Sequence, residues 1–239
     1  GVGAESTYRL KNDEELVNFM NTKNPAIPYI MEEYVTAEVT TYDAIINSKG
    51  EAIWEGSNVT VSCLMDVVND NGNSLYYLNK EIPADVKAAG LATVKSFGVK
   101  SRFVHFEFFR LSKMHKGLGR KGKIIGLEVN MRPAGGYTPD MMDFAHSTDV
   151  YQIYADMVCC DARRLPESHD HFYCVYASRK DGHRYARTHE EIMARYGAHM
   201  VMQEEMPPMN WPQMGRYMYT ARLKEMEEVR AFIEYVQGC

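Results

Sequence analysis

Glu128-Val129-Asn130-Met131-Arg132-Pro133-Ala134-Gly135-Gly136 and, 21 residues before Glu128, Glu107 within Phe103-Val104-His105-Phe106-Glu107-Phe108-Phe109 are the residues best placed to do chemistry. Both stretches read as strands. Side chains alternate faces along a strand, so Glu128, Asn130 and Arg132 share one face while Val129 and Met131 take the other. Between the stretches, residues 113–122 are polar, basic and glycine-containing, as the tip of a long hairpin would be. Pairing symmetric about that tip holds the residue sum at about 235 and sets Glu107 opposite Glu128. Like charges directly across a ladder destabilise it. A hard divalent cation between the two acids would remove that cost, with the Asn130 amide oxygen as a further ligand and Arg132 holding an anion beside it. Magnesium suits such oxygen ligands. Spacing alone equally admits two half-exposed acids on a solvated sheet face.

Glu107 followed by Glu128-x-Asn130-x-Arg132-Pro133 and a Gly-Gly loop resembles the metal-binding end of the ATP-grasp ligases, the superfamily of biotin carboxylase, carbamoyl phosphate synthetase, D-alanine ligase and the L-amino acid ligases. Further likenesses occur in order upstream, so that the resemblance covers roughly residues 1–160. Gly1-Val2-Gly3-Ala4 resembles the glycine-rich phosphate loop. Tyr29-Ile30-Met31-Glu32-Glu33-Tyr34-Val35 resembles the strand whose end contacts adenine, and Glu38 falls where a ribose-binding acid is often found.

The resemblance implies an α+β chain: the C-terminal part of the ATP-grasp fold, an antiparallel sheet flanked by helices, with the N-terminal region missing. The implied organisation is a remnant of the nucleotide-binding lid over 1–35, a catalytic and metal-binding subdomain over 36–165, and a C-terminal α+β subdomain over 166–239. The implied reaction activates a carboxylate as an acyl phosphate at the expense of ATP and joins it to an amine or similar nucleophile. Metal, Mg2+ with Mn2+ as the alternative, would be held by Glu107, Glu128 and Asn130. Arg132, with Asn130, would serve the transferring phosphoryl group. Gly1, Val2, Gly3 and Ala4 would cradle phosphates, Glu32, Glu33, Tyr34 and Val35 would face adenine, and Glu38 would accept from ribose hydroxyls. The expected partners are ATP and a small carboxylic acid or amino acid, with a homodimer compatible and neither nucleic acid nor membrane expected. The lysines that the family carries upstream of the phosphate loop are not in this sequence, so the isolated chain is expected to bind ATP poorly. The rival reading is an inactive ATP-grasp fragment or a regulatory, partner-binding module.

Composition fits this frame. The chain has 239 residues, 45% hydrophobic and 25% charged, enough to bury a sizeable core. A net charge of −5 and pI near 5.9 give no general attraction to nucleic acid or anionic membrane. No apolar run reaches the roughly 20 residues of a spanning helix, and no signal-peptide pattern is present, so a soluble cytoplasmic protein is expected. Cys63, Cys159, Cys160, Cys174 and Cys239 make an odd count without C-x-x-C spacing, which argues for free thiols over disulfides or a zinc site. His169-Asp170-His171 reads as a solvated loop. No biotin-attachment Met-Lys pair stands in a suitable hairpin.

The elements that must position the site follow from periodicity and capping. Helices are expected from Asn12 to Met20, Pro83 to Phe97, Tyr137 to Ala145, Asp149 to Val158, His189 to Tyr196 and Leu223 to Val236. Glu38 to Ile46 and Glu51 to Trp54 form a hairpin about Asn47-Ser48-Lys49-Gly50. Phe172 to Ala177 and Met200 to Gln203 are further strands, Arg163 to His171 is a linker, and Pro207 to Gly215 a rigid loop. His105 shares the Glu107 face and reads as structural or substrate-facing. Lys113, Lys116, Arg120, Lys121 and Lys123 read as a solvated hairpin tip.

Overall fold

The computed structural model describes residues 7–62, 67 and 71–238. Gly1, Val2, Gly3 and Ala4, together with Cys63 and Cys239, lie outside the described residues. The first helix, α1 (Asp13–Thr22), starts where Asn12 Oδ1 accepts from the Glu15 backbone N–H at 2.9 Å, satisfying one of the unpaired donors of the first turn. Among the described residues no helix is long and apolar enough to cross a membrane.

Among the described residues, nine strands make one wholly antiparallel sheet: β1 (Ala37–Ile46), β2 (Ala52–Gly56), β3 (Asn58–Thr60), β4 (Leu75–Leu78), β5 (Arg102–Leu111), β6 (Ile124–Asn130), β7 (Tyr173–Arg179), β8 (Met200–Glu205) and β9 (Tyr217–Leu223). The order across the sheet is β6-β5-β1-β3-β4-β7-β9-β8, with β2 paired to the far half of β1. The helices that cover it are α2 (Ala84–Ser96), α3 (Thr138–His146), α4 (Val150–Cys160), α5 (His189–Tyr196) and α7 (Met226–Gln237); α6 (Trp211–Met214) is a single turn.

Strand alternation sorts the core into two faces. Ile45, Phe103, Cys174 and Tyr176 point to the face covered by α3 and α4, where Met141, Met142, Ile153 and Met157 complete the packing. On the other face Tyr42, Ala44, Val104 and Phe106 pack under α2, and Val175, Ala177, Tyr219 and Ala221 pack under α5 and α7. Each fully buried side chain of Phe or Ile size there contributes about 1.5–3 kcal/mol. The β4–β7 ladder, Leu75↔Ala177 to Leu78↔Cys174, makes residues 36–165 and 166–239 two halves of a single sheet.

Several expectations are corrected. Tyr29 to Val35 is not a strand: residues 24–36 carry no ladder, and β1 begins only at Ala37. Among the described residues no strand pairs with it; the hairpin passes its end, where the Thr36 carbonyl accepts from the Ser112 N–H at 3.3 Å, without forming a ladder. Leu223 belongs to β9, and the last helix starts at Met226, where Glu225 and Glu228 form a reciprocal cap. Three strands escape the sequence pattern, Asn58–Thr60, Leu75–Leu78 and Tyr217–Leu223. The loop from Pro207 to Gly215 contains a 3-10 turn (Pro208–Asn210) and α6.

Candidate functional site

The β5–β6 hairpin sets His105 opposite Asn130 and Glu107 opposite Glu128. Residue sums are 235 through that stretch. One residue further out Phe108 pairs with Gly126, so Leu127 is a bulge residue next to Glu128. Bulges of this kind re-aim a neighbouring side chain. Directly paired residues in an antiparallel ladder have Cβ atoms about 4.5–5.5 Å apart on the same face, which brings the two carboxylates into reach of one small ion.

On the other side of β5, Thr41 pairs with Glu107 and Asp43 with His105. The same face therefore carries Thr41, Asp43, His105, Glu107, Glu128 and Asn130, and it continues into the apolar Ile45 and Phe103 beneath α3 and α4. Asp43 is fully buried. Its Oδ1 accepts from His105 Nδ1 at 2.7 Å, and its Oδ2 accepts from Thr41 Oγ1 at 2.5 Å and Asn58 Nδ2 at 3.5 Å. His105 Nε2 in turn donates to Glu107 Oε1 at 3.2 Å. Burial works against charge on His105, but the Asp43 carboxylate, in contact and hydrogen-bonded, and Glu107 behind it outweigh that and push the His105 pKa up to about 10. A cationic imidazole thus braces Glu107 from within the sheet.

The oxygen donors fit a hard divalent ion. Glu107 and Glu128 supply carboxylates, one Glu107 oxygen is left over by His105, and the Asn130 amide is half-buried with its Nδ2 buried and without a hydrogen-bond partner. Among the described residues no group of three or more His, Cys, Asp or Glu side chains gathers at metal-binding distance. A site here rests on two acids and an amide, leaving further positions to water or substrate oxygens.

Arg132 follows the end of β6, exposed, and donates from Nη1 to the Pro133 carbonyl at 2.8 Å. Glu32, Glu33 and Tyr34 are exposed, and Val35 is half-buried. The Glu33 carboxylate lies 3.5 Å from His115 Nε2 on the hairpin tip, so this segment borders the outer end of the hairpin that holds Glu107. Ala37 pairs with Leu111, four residues along from Glu107, or about 13 Å at the usual rise. Glu38 pairs with Arg110 and projects from the opposite face of the sheet, so the structure does not bring it together with Glu107 and Glu128. Thr41, Asp43 and Asn58 are absent from the sequence-based set. The one signal for them is an aspartate two residues after a threonine within a β-branched run.

No family model matches the sequence, and no curated protein matches it. Solved structures do. The phosphoribosylglycinamide synthetase of Anaerococcus prevotii is 9% identical with a TM-score of 0.59, over 95% of this chain and 59% of that one. The N5-carboxyaminoimidazole ribonucleotide synthetase of Thermotoga maritima is 15% identical with a TM-score of 0.55, over 94% and 56%. The biotin carboxylase domain of the Hydrogenobacter thermophilus 2-oxoglutarate carboxylase, solved as a dimer with MgADP, ADP and bicarbonate, is 13% identical with a TM-score of 0.62, over 99% and 54%. The chain has the fold of the C-terminal part of the ATP-grasp enzymes. It spans little more than half the length of these relatives.

Proposed function

We propose that this chain is the C-terminal part of an ATP-dependent ligase that activates a carboxylate as an acyl phosphate and joins it to an amine or similar nucleophile. The observation that carries the reading is Glu107 directly across the ladder from Glu128, with Asn130 one pair further along the same face. A repulsive pair in that position makes sense where a cation is bound between its members. Glu107, Glu128 and Asn130 would hold Mg2+ or Mn2+, whose chemistry is to neutralise phosphate oxygens as charge shifts among them.

The remaining roles fall to the chain's own groups. Asp43 and His105 hold the Glu107 carboxylate in a fixed orientation, as partners behind a metal ligand do. Arg132 turns its planar fork to the transferring phosphoryl group. Glu32, Glu33, Tyr34 and Val35 border the far end of the same hairpin, which suits a nucleotide extended along it with adenine outermost and phosphates at the carboxylates. The acceptor would be a small carboxylic acid or amino acid. The phosphate-cradling role proposed for Gly1, Val2, Gly3 and Ala4 concerns residues outside those described.

Titrating the chain with Mn2+ and following free metal by electron paramagnetic resonance tests the metal site. Saturable binding that Glu128→Gln weakens about tenfold supports it, and binding indifferent to both Glu128→Gln and Glu107→Gln sinks it. In steady-state assays of the ATP-consuming enzyme, Arg132→Lys should lower kcat on the order of 100-fold with little change in KM for ATP, because lysine keeps the charge and loses the fork. A raised KM with unchanged kcat would reassign Arg132 to ground-state binding.

A further inference from the structure

On the sheet face opposite to Glu107 and Glu128, a groove of about 520 Å³ opens beside the end of β7. That volume lies in the range of small-molecule sites. Its lining includes Arg179, Tyr185, His189, Gln203, Tyr217 and Tyr219. Arg179 is only 7% exposed. Its Nε donates to the Val236 carbonyl at 2.6 Å and its Nη1 to the Arg187 carbonyl at 2.8 Å. The guanidinium lies 4.4 Å from the centre of the Tyr185 ring and 5.7 Å from that of Tyr219. Nη2 is buried and has no hydrogen-bond partner among the described residues.

Among the described residues, this cation meets neutral acceptors and ring faces, and no carboxylate pairs with it. Three acids line the groove, and each is engaged elsewhere: Asp181 and Glu205 hold Arg216 at 3.0 and 2.8 Å, and Glu204 accepts from the Tyr137 hydroxyl. A buried cation without a counter-ion is costly, and burial here pulls the Arg179 pKa below its ordinary value. Capping the end of α7 through Val236 accounts for one donor and tying down Arg187 for another. Neither accounts for Nη2, nor for a groove walled by rings. A guanidinium edge with a spare donor matches the geometry of an oxyanion. Tyr217, directly across the ladder from Arg179 and 39% exposed, offers a ring at the groove's open side.

We propose that this groove binds a small ligand carrying an oxyanion, carboxylate or phosphate, on a planar ring, with the oxyanion taken by Arg179 and the ring laid against Tyr217. This site is independent of the metal site across the sheet. Nuclear magnetic resonance of the whole chain, reading the Arg179 side-chain N–H signals, tests it with two probes, benzoate and inorganic phosphate. Saturable shifts with a Kd on the order of 1 mM are expected for at least one probe. A response to benzoate alone identifies a carboxylate ligand, and one to phosphate alone a phosphate ligand. Arg179→Gln should abolish binding, and Tyr217→Ala should weaken benzoate about threefold to tenfold while sparing phosphate. Absence of a saturable Arg179 response to either probe overturns the proposal, as does binding that Arg179→Gln leaves unchanged. Should Arg179→Gln not fold, the wild-type Arg179 signals and Tyr217→Ala decide on the same criteria.

Discussion

Asp43 carries a carboxylate with no exposure to solvent, and the structure spends three donors on it, from Thr41, Asn58 and His105. Such a group is stable only because the imidazolium beside it supplies the opposite charge. Asp43→Asn keeps the shape and removes that charge, so it should lower unfolding free energy by about 3 kcal/mol, the size expected for breaking a buried ion pair. Denaturant melts measure this; a loss under about 1 kcal/mol, as for a neutral hydrogen bond, would show His105 to be uncharged. His146 is the contrasting case. Burial first, then the nearby His171, lower its pKa to about 4, and its Nε2 sits 3.3 Å from the Asn79 carbonyl. In the unfolded chain it takes up a proton near pH 6.5, so the unfolded state binds more protons between about 6.5 and 4 and stability falls as pH drops through that window. Asp143, raised to about 7 chiefly by burial, changes stability with the opposite sign over an overlapping range. The difference between wild type and His146→Gln isolates the histidine: the wild type should lose on the order of 1–3 kcal/mol more between pH 7 and 4. Parallel losses in the two proteins would contradict a neutral buried His146.

Strands and helices here were legible in the sequence where one pattern acts alone. The helix His189–Tyr196 has its Thr188/Glu191 cap and its apolar spacing in one short segment, and the hairpin holding Glu107 has a symmetric tip, so both could be read directly. Short inner strands could not be. Leu75–Leu78 has four residues and Asn58–Thr60 three, too few to show a period, and they exist because β1 and β7 offer them edges. The strand Tyr217–Leu223 runs straight into a helix with a strong apolar stripe, which absorbs its last residue in a reading by periodicity. The polar site was half legible: Glu107, Glu128 and Asn130 stand in one hairpin, but Asp43 reaches them only through the β1–β5 ladder, 62 residues from His105. Packing between elements was equally hidden. Gly90 in α2 has no turn to make; a Cβ there would lie 2.1 Å from the Tyr42 ring, which is fully buried and fixed through its hydroxyl to Glu55 at 2.7 Å. Gly90→Ala should gain about 1 kcal/mol of helix propensity yet lose more through overpacking, typically 1–3 kcal/mol and upward where the neighbour cannot retreat. A lowered Tm is expected, and a raised one would mean that α2 can lift off β1 at little cost.

At the scale of the whole molecule, the sheet decides how the two halves of the chain behave. Residues 36–165 and 166–239 are joined by an irregular segment, but β4 and β7 pair across that division, and Tyr76 stacks on Tyr176 with ring centres 4.8 Å apart. The core under α3 and α4 draws Ile45, Trp54 and Phe103 from the first half and Cys174, Tyr176 and Met218 from the second. Neither half can bury its side of that layer without the other, so unfolding should be one cooperative event in spite of the linker. The chain has two tryptophans, one in each half, Trp54 on β2 within the shared core and Trp211 at the start of α6. Trp211→Phe leaves fluorescence reporting on the first half, and Trp54→Phe leaves it reporting on the second. In urea melts, each single-tryptophan protein should show the same midpoint by fluorescence as by far-ultraviolet circular dichroism, with one slope. A fluorescence transition of the Trp54 reporter displaced from the dichroism transition of the same protein, or a plateau between two steps in either, would show the β4–β7 ladder to be a contact between independent units instead of the spine of one sheet.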